Sequence, residues 1–161
     1  MTDQFKDLSQ NEWSTLQNAV PLIAILIAGA DGVVGDTEVS WSKKVTHIRS
    51  YKLKGSLQVF YEEADRDFEA KFMHFIETLP SGVKDRTDAI TKKLHEVNPI
   101  LCKLDTAIGS KLYNSFVTFA EQVAKAEGGV MGFFSINKDE AKLLGLPMID
   151  PIHHTPNEEE E

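Results

Sequence analysis

Two segments of the chain carry the side chains best suited to chemistry. The first reads Ala28-Gly29-Ala30-Asp31-Gly32-Val33-Val34-Gly35-Asp36-Thr37-Glu38. The second reads Ala124-Lys125-Ala126-Glu127-Gly128-Gly129-Val130-Met131-Gly132-Phe133-Phe134-Ser135-Ile136-Asn137-Lys138-Asp139-Glu140. Each leaves an apolar stretch through Ala-acid-Gly, passes an aliphatic pair and a glycine, and reaches a carboxylate where the next helix is expected to start. They form a weak internal repeat, the second copy being longer. Hard divalent cations take several oxygen ligands from carboxylates and backbone carbonyls, and a glycine beside the first carboxylate lets the chain turn so that a later one can return to the same point.

Asp31-Gly32 followed by Glu38 has the spacing of the back half of an EF-hand loop. The front half is missing, because Ile27 and Gly29 stand where the first two acidic ligands would be. One loop is therefore too poor in ligands to hold an ion, and a second carboxylate source is required. The second loop is the natural supplier. The expected metal ligands are Asp31, Glu38, Glu127 and Glu140, with Asp139 competing with Glu140, and the expected ion is calcium, zinc or manganese.

Capping offers a plainer account of some of these acids. Asp36 suits a helix N-cap, Glu38 favours the positive end of a helix, and Glu140 stands three residues after Asn137, at capping-box spacing. Asp31 differs. It follows an apolar helix, at the end where the helix dipole disfavours an anion, and so calls for a compensating cation or donor. His47, His74 and His95 sit singly on expected helices and make no ligand pattern. The adjacent His153 and His154, near Asp150, read as incidental. Cys102, the one cysteine, lies on an apolar stretch and reads as a buried structural thiol. Phe133-Phe134, in the glycine-rich loop, could tuck inward or face a partner.

Helices must position these loops. Ser9 or Asn11 could cap a first helix running to about Ala28, whose apolar run Ala19–Ala30 reads as buried and which Pro21 should kink or divide. Asp36 should cap a second helix, with Trp41, Val45 and Ile48 on one face. A third carries Leu57, Phe60, Tyr61, Ala64, Phe68, Phe72, Phe75, Ile76 and Leu79 at steps of three and four, and its Glu62–Glu69 side reads as a solvated face. A fourth has Val83, Ile90, Leu94 and Val97 inward, with Asn98-Pro99 as a turn. A fifth carries Leu101, Leu104, Ile108, Leu112, Phe116, Phe119 and Val123 up to Gly128-Gly129, and a short sixth begins near Asn137–Asp139. No segment alternates with period two long enough for a strand. The expectation is an all-α chain, a single helical bundle of about six to seven helices over residues 1–150, followed by an acidic flexible tail over 151–161.

Composition narrows the function classes. The 161 residues have a net charge of −8, with 42% hydrophobic and 26% charged residues. That acidity argues against a nucleic-acid partner, which needs a basic footprint. The apolar run is shorter than the roughly 20 residues a membrane span takes, so no membrane insertion is expected. Nor does a signal peptide fit, and a cytoplasmic location is expected. No nucleophile–base pair stands out. Gly128-Gly129-x-x-Gly132 lacks the lysine of a phosphate-binding loop and follows no strand.

The Ala-Asp-Gly-Val-Val-x-x-x-Glu pattern after an apolar helix resembles the tellurite-resistance TerB family. The later Ala-x-Gly-Gly-x-x-Gly-Phe segment, followed by Ser-x-x-x-x-Glu, is similar to that family's second motif. The resemblance spans about Leu16 to Leu146. It implies an all-helical fold with pseudo-twofold related halves and an acidic metal-binding site. It also implies a role in tellurite or broader chemical-stress response beside other stress-response proteins, membrane-associated ones included. The first-motif acids fall on Asp31 and Glu38, the second-motif acids on Glu127 and Glu140, and Glu127 departs from the pattern where Asp would match the first loop better. Together these readings predict a non-enzymatic metal-binding stress protein. The alternative is a metal-free helical interaction module whose acids cap helices.

Overall fold

The computed structural model describes residues 3–30, 34–125 and 142–154. Among them the chain is all-helical, with a 3-10 turn at Asp3–Phe5 and six α-helices. These are α1 (Gln10–Ala28), α2 (Asp36–Lys52), α3 (Gly55–Thr78), α4 (Val83–His95), α5 (Val97–Leu101) and α6 (Thr106–Lys125).

α1 is the axis of the bundle. Its residues from Ala19 to Ala28 are all buried, as a helix that is apolar all round must be, and each of the other five helices packs against it. Its start is set locally. Ser9 accepts a hydrogen bond from the Glu12 N–H at 3.1 Å while the Glu12 carboxylate accepts from the Ser9 N–H at 2.9 Å, a complete capping box. Pro21 lies inside α1 without dividing it. Proline removes one helical hydrogen bond, and the helices packed around α1 hold it continuous across that gap.

Several expected boundaries move. The N-cap of α2 is Gly35, not Asp36, which occupies the first turn instead. The break after α4 comes at Glu96, and Asn98-Pro99 lies within α5 rather than in a turn. Pro99 falls in the first turn of that short helix, where its missing N–H costs no helical bond. α6 starts only at Thr106, where the Asp105 carboxylate accepts from the Ala107 N–H at 2.9 Å, so Leu101 and Leu104 belong to α5 and the turn after it. Val83 and Ile76, expected inward, are exposed, and so is Cys102, expected buried. The expected sixth helix starts outside the described residues.

The third helix meets its expectation best, with Phe60, Tyr61, Ala64, Phe68, Phe72 and Phe75 buried along one stripe. Phe60 sits among Phe5, Trp13, Tyr61 and Phe116 with ring centroids 5.2–6.5 Å apart, mostly in the edge-to-face geometry that aromatic quadrupoles favour. The buried face of α2 is more polar than expected, being Ser42, Val45, Thr46 and Arg49. The Arg49 guanidinium donates to the Tyr61 hydroxyl (3.0 Å), the Ser115 carbonyl (2.6 Å), Thr118 Oγ1 (3.0 Å) and Gln122 Oε1 (2.7 Å). It also lies 5.2 and 5.5 Å from the ring centres of Tyr61 and Phe119. Every acceptor is neutral, so the charge is held by dipoles and π faces. This one side chain ties α2 to α3 and α6. Burial pushes the Tyr61 phenol above its ordinary value, and Arg49 only partly offsets the shift.

The end of the described chain returns to the bundle. Asn98 donates to the Met148 carbonyl at 3.1 Å and accepts from the Asp150 N–H at 2.8 Å, and Ile149 is buried.

Candidate metal centre

Of the four expected ligands, Asp31, Glu127 and Glu140 lie outside the described residues, as do Asp139 and Phe133-Phe134. Glu38 is described. It is the third residue of α2, half-buried, and its carboxylate folds back so closely over Gly35 that a side chain there would collide with it. That is the position from which an N3 carboxylate serves a helix N-terminus. Among the described residues no group of three or more His, Cys, Asp or Glu side chains converges as a metal site.

The anchors of the two acidic loops do come together. Where the first loop ends and the second begins, Trp41 in the second turn of α2 donates its indole N–H to the Gln122 carbonyl in the last turn of α6 at 2.7 Å. Where the first loop begins and the second ends, Ala30, Lys142 and Leu143 line one cavity of about 430 Å³ against the start of α4. The described ends of the first loop lie close together, because a side chain at Gly29 would meet Val34 Cγ2 at 2.9 Å. Thus all four loop ends lie at the end of the bundle where α1 finishes. Asp88, a carboxylate lining that cavity, is ion-paired with Lys84 at 2.9 Å.

A residue that sequence reasoning missed sits at the centre of this end. Arg86 of α4 is buried, and its Nη2 donates to the Gly29 carbonyl at 2.6 Å. This supplies positive charge to the carboxyl end of α1, the compensation that an acid following that helix calls for. The close approach explains why residue 29 is glycine, since a Cβ there would lie 2.6 Å from Arg86 Nη2 and 2.8 Å from the Ile25 carbonyl oxygen. A sequence signal existed: Arg86 stands in line with Ile90 and Leu94 on the buried face of α4, where a charged residue at a core position marks a built contact.

The histidines make no site with one another. His47 pairs with Asp65 at 2.9 Å, His95 Nδ1 lies 3.1 Å from the Asn98 amide, and His74 packs edge-on against Phe75 at 5.4 Å. Lys125 ends α6 and is exposed. The charged side of α3 is not wholly solvated, for Glu63 accepts from the Trp13 indole at 2.7 Å. No helix among the described residues is long and apolar enough to cross a membrane.

No protein-family model, curated protein or solved structure matches the chain.

Proposed function

We propose that this chain is a non-enzymatic metal-binding protein of a tellurite or chemical-stress response. In this reading a divalent cation is held by Asp31, Glu38, Glu127 and Glu140 from two paired loops. The observation that supports it best is the Trp41–Gln122 hydrogen bond. It joins the helix that the first loop enters to the helix that the second loop leaves, so that described anchors of two acid-bearing segments nearly a hundred residues apart in the chain lie side by side. Carboxylates pooled from two loops would give a hard cation the oxygen ligands that neither loop has alone. The TerB-like motif pair carries the stress-response part of the proposal, including its partners, other proteins of the same response.

Isothermal titration of the full chain with calcium, zinc and manganese tests the metal. One ion should bind tighter than millimolar, and Asp31→Asn with Glu38→Gln should weaken it about tenfold or more, as lost charged ligands do. Binding weaker than millimolar for all three ions, or affinity unchanged in the double variant, removes the metal.

A second reading has its own observation. Arg86 already supplies the positive charge that the end of α1 needs, and the Glu38 carboxylate folds over Gly35 at the start of α2, where the helix dipole favours it. The protein would then be a metal-free helical interaction module. In that case the same double variant lowers the melting temperature and leaves no metal affinity to change.

A further inference from the structure

The apolar stripe of α3 does not end in the core. Next to the buried Phe72 and Phe75 stand Met73 and Ile76, which are 50% and 39% exposed. Val39, Ser40, Phe68, Phe72 and Met73 line a groove of about 190 Å³ between α2 and α3, with Lys43 and Glu69 at its rim. That volume is below the ~300–1,000 Å³ of small-molecule pockets. It is the scale of one large side chain brought by another protein. Exposed methionine at such a groove packs adaptably against an incoming apolar group.

The charges around the groove select the partner. Lys43 pairs with Glu69 at 2.8 Å and His47 with Asp65 at 2.9 Å, so α2 and α3 run antiparallel, turn matched to turn. The same register brings Val39 and Ser40 beside Phe72 and Met73, as the groove lining shows. One turn further it sets Asp36 level with Ile76. Asp36 and Glu77 are exposed, and neither has an ion pair among the described residues. The lysines on this side of α2 are engaged, Lys43 by Glu69 and Lys44 by the Trp41 ring, 5.8 Å from its centre. Over its whole length α3 carries six acidic residues against two basic ones, Arg66 and Lys71. The apolar patch is thus edged by carboxylates without counter-charges.

We infer that the α2–α3 groove docks a basic amphipathic helix of another protein. One apolar side chain of that helix sits between Val39 and Met73, a second lies on Ile76, and lysine or arginine meets Asp36 and Glu77. A helix laid in a groove offers apolar anchors at steps of three and four, and Met73 and Ile76 repeat at that step. Opposite charge at the rim speeds encounter and rejects acidic competitors. It also disfavours a second copy of this chain, since each copy carries a net charge of −8 and like charges across an interface cost affinity. The inference does not depend on a metal at the acidic loops.

The test is fluorescence anisotropy of a labelled amphipathic peptide of lysine and leucine, about four helical turns long, titrated with the full chain. A second peptide has glutamate in place of every lysine. The basic peptide should bind saturably with a micromolar Kd, and the acidic one about tenfold more weakly or worse. Met73→Ser with Ile76→Ser should weaken the basic peptide about tenfold and, both sites being exposed, leave the thermal melt nearly unchanged. Asp36→Asn with Glu77→Gln should weaken it several-fold. Asp7→Asn with Asp67→Asn removes as much charge from exposed positions outside the groove and should leave the affinity unchanged. Should the Met73 and Ile76 double variant fail to fold, Met73→Ser alone is read in the same way. No saturable binding below about a millimolar, or affinity indifferent to the Met73 and Ile76 substitutions, overturns the site. An equal loss in the Asp7 and Asp67 variant reduces the binding to general charge attraction and overturns it too. Sedimentation of the chain alone checks the other occupant: a dimer dissolved by Met73→Ser assigns the face to a second copy and overturns the basic partner.

Discussion

Arg86 on α4 reaches the carbonyl oxygen of Gly29 at 2.6 Å and thereby closes the carboxyl end of α1. The donor comes from a helix 57 residues further along the chain. An acid placed just after an apolar helix is an electrostatic liability. Here a guanidinium supplies positive charge at that helix end whether or not a metal ion is also bound.

Replacing Arg86 by methionine keeps most of the buried stem and removes the charged donor. The substitution should cost about 2 kcal/mol, the scale of a hydrogen bond to a charged group, measured by urea unfolding. A loss below about 0.5 kcal/mol, the scatter of neutral surface changes, would show that the contact contributes little.

Gly29→Ala should also destabilise the fold, by about 1–3 kcal/mol, because its Cβ would force Arg86 and the neighbouring backbone to shift. Since both substitutions strike one contact, a double-mutant cycle with Arg86→Met should be strongly non-additive. Additive losses would place the strain of Gly29→Ala against Val34 or Ile25 instead.

Arg49→Met should be worse, at about 3 kcal/mol or more, because it removes four hydrogen bonds from one buried charged donor at once, although the Tyr61 hydroxyl keeps Ser115 Oγ and the Ser115 carbonyl keeps Thr118 Oγ1. Chemical denaturation followed by circular dichroism measures this. If the loss instead matches that of Tyr61→Phe, the network is no stronger than the two hydrogen bonds of its phenol.

Tyr61 and Glu12 set opposite edges of the pH range. The Tyr61 phenol is raised above its ordinary 10.0 by burial, so the folded state holds its proton more tightly than the unfolded chain does. Its contribution is full below about pH 10 and is lost as pH rises through the folded value. Glu12 is lowered from its ordinary 4.5, first by its hydrogen bond to Lys103 and next by the Ser9 N–H. Its contribution is present above that value and is lost as pH falls through the folded one. Melting temperature against pH should therefore fall at both ends. Tyr61→Phe should flatten the alkaline limb, and Glu12→Gln should flatten part of the acid limb. Unchanged limbs in both variants would assign the pH dependence to other groups.

Ser9→Ala removes one arm of the α1 capping box and should cost about 1 kcal/mol. It does so at a helix end more than half the length of α1 from the acidic loops. Metal titrations of this variant should therefore match those of the unaltered chain, which makes it a stability control for substitutions in the loops.

Some of this protein is written along the chain. The apolar period of α3 and the all-apolar run of α1 depend only on neighbours three and four residues away, so helix order, the central buried helix and the Phe60–Phe75 stripe follow from sequence. The Ser9–Glu12 capping box is equally local. Helix ends are less legible: Gly35 takes the cap that Asp36 suits by residue type, and Pro99 enters a first turn, since small shifts in where a helix starts change little in local energy. Which ends meet depends on the packing of the helices. Trp41 finds Gln122 across 81 residues, Arg49 gathers acceptors from α3 and α6, and Arg86 crosses to Gly29. Such contacts depend on how helices pack against one another, and no local period encodes them. The acids of the two loops are legible as residue types, but that the described anchors of those loops share one end of the bundle is a property of that packing.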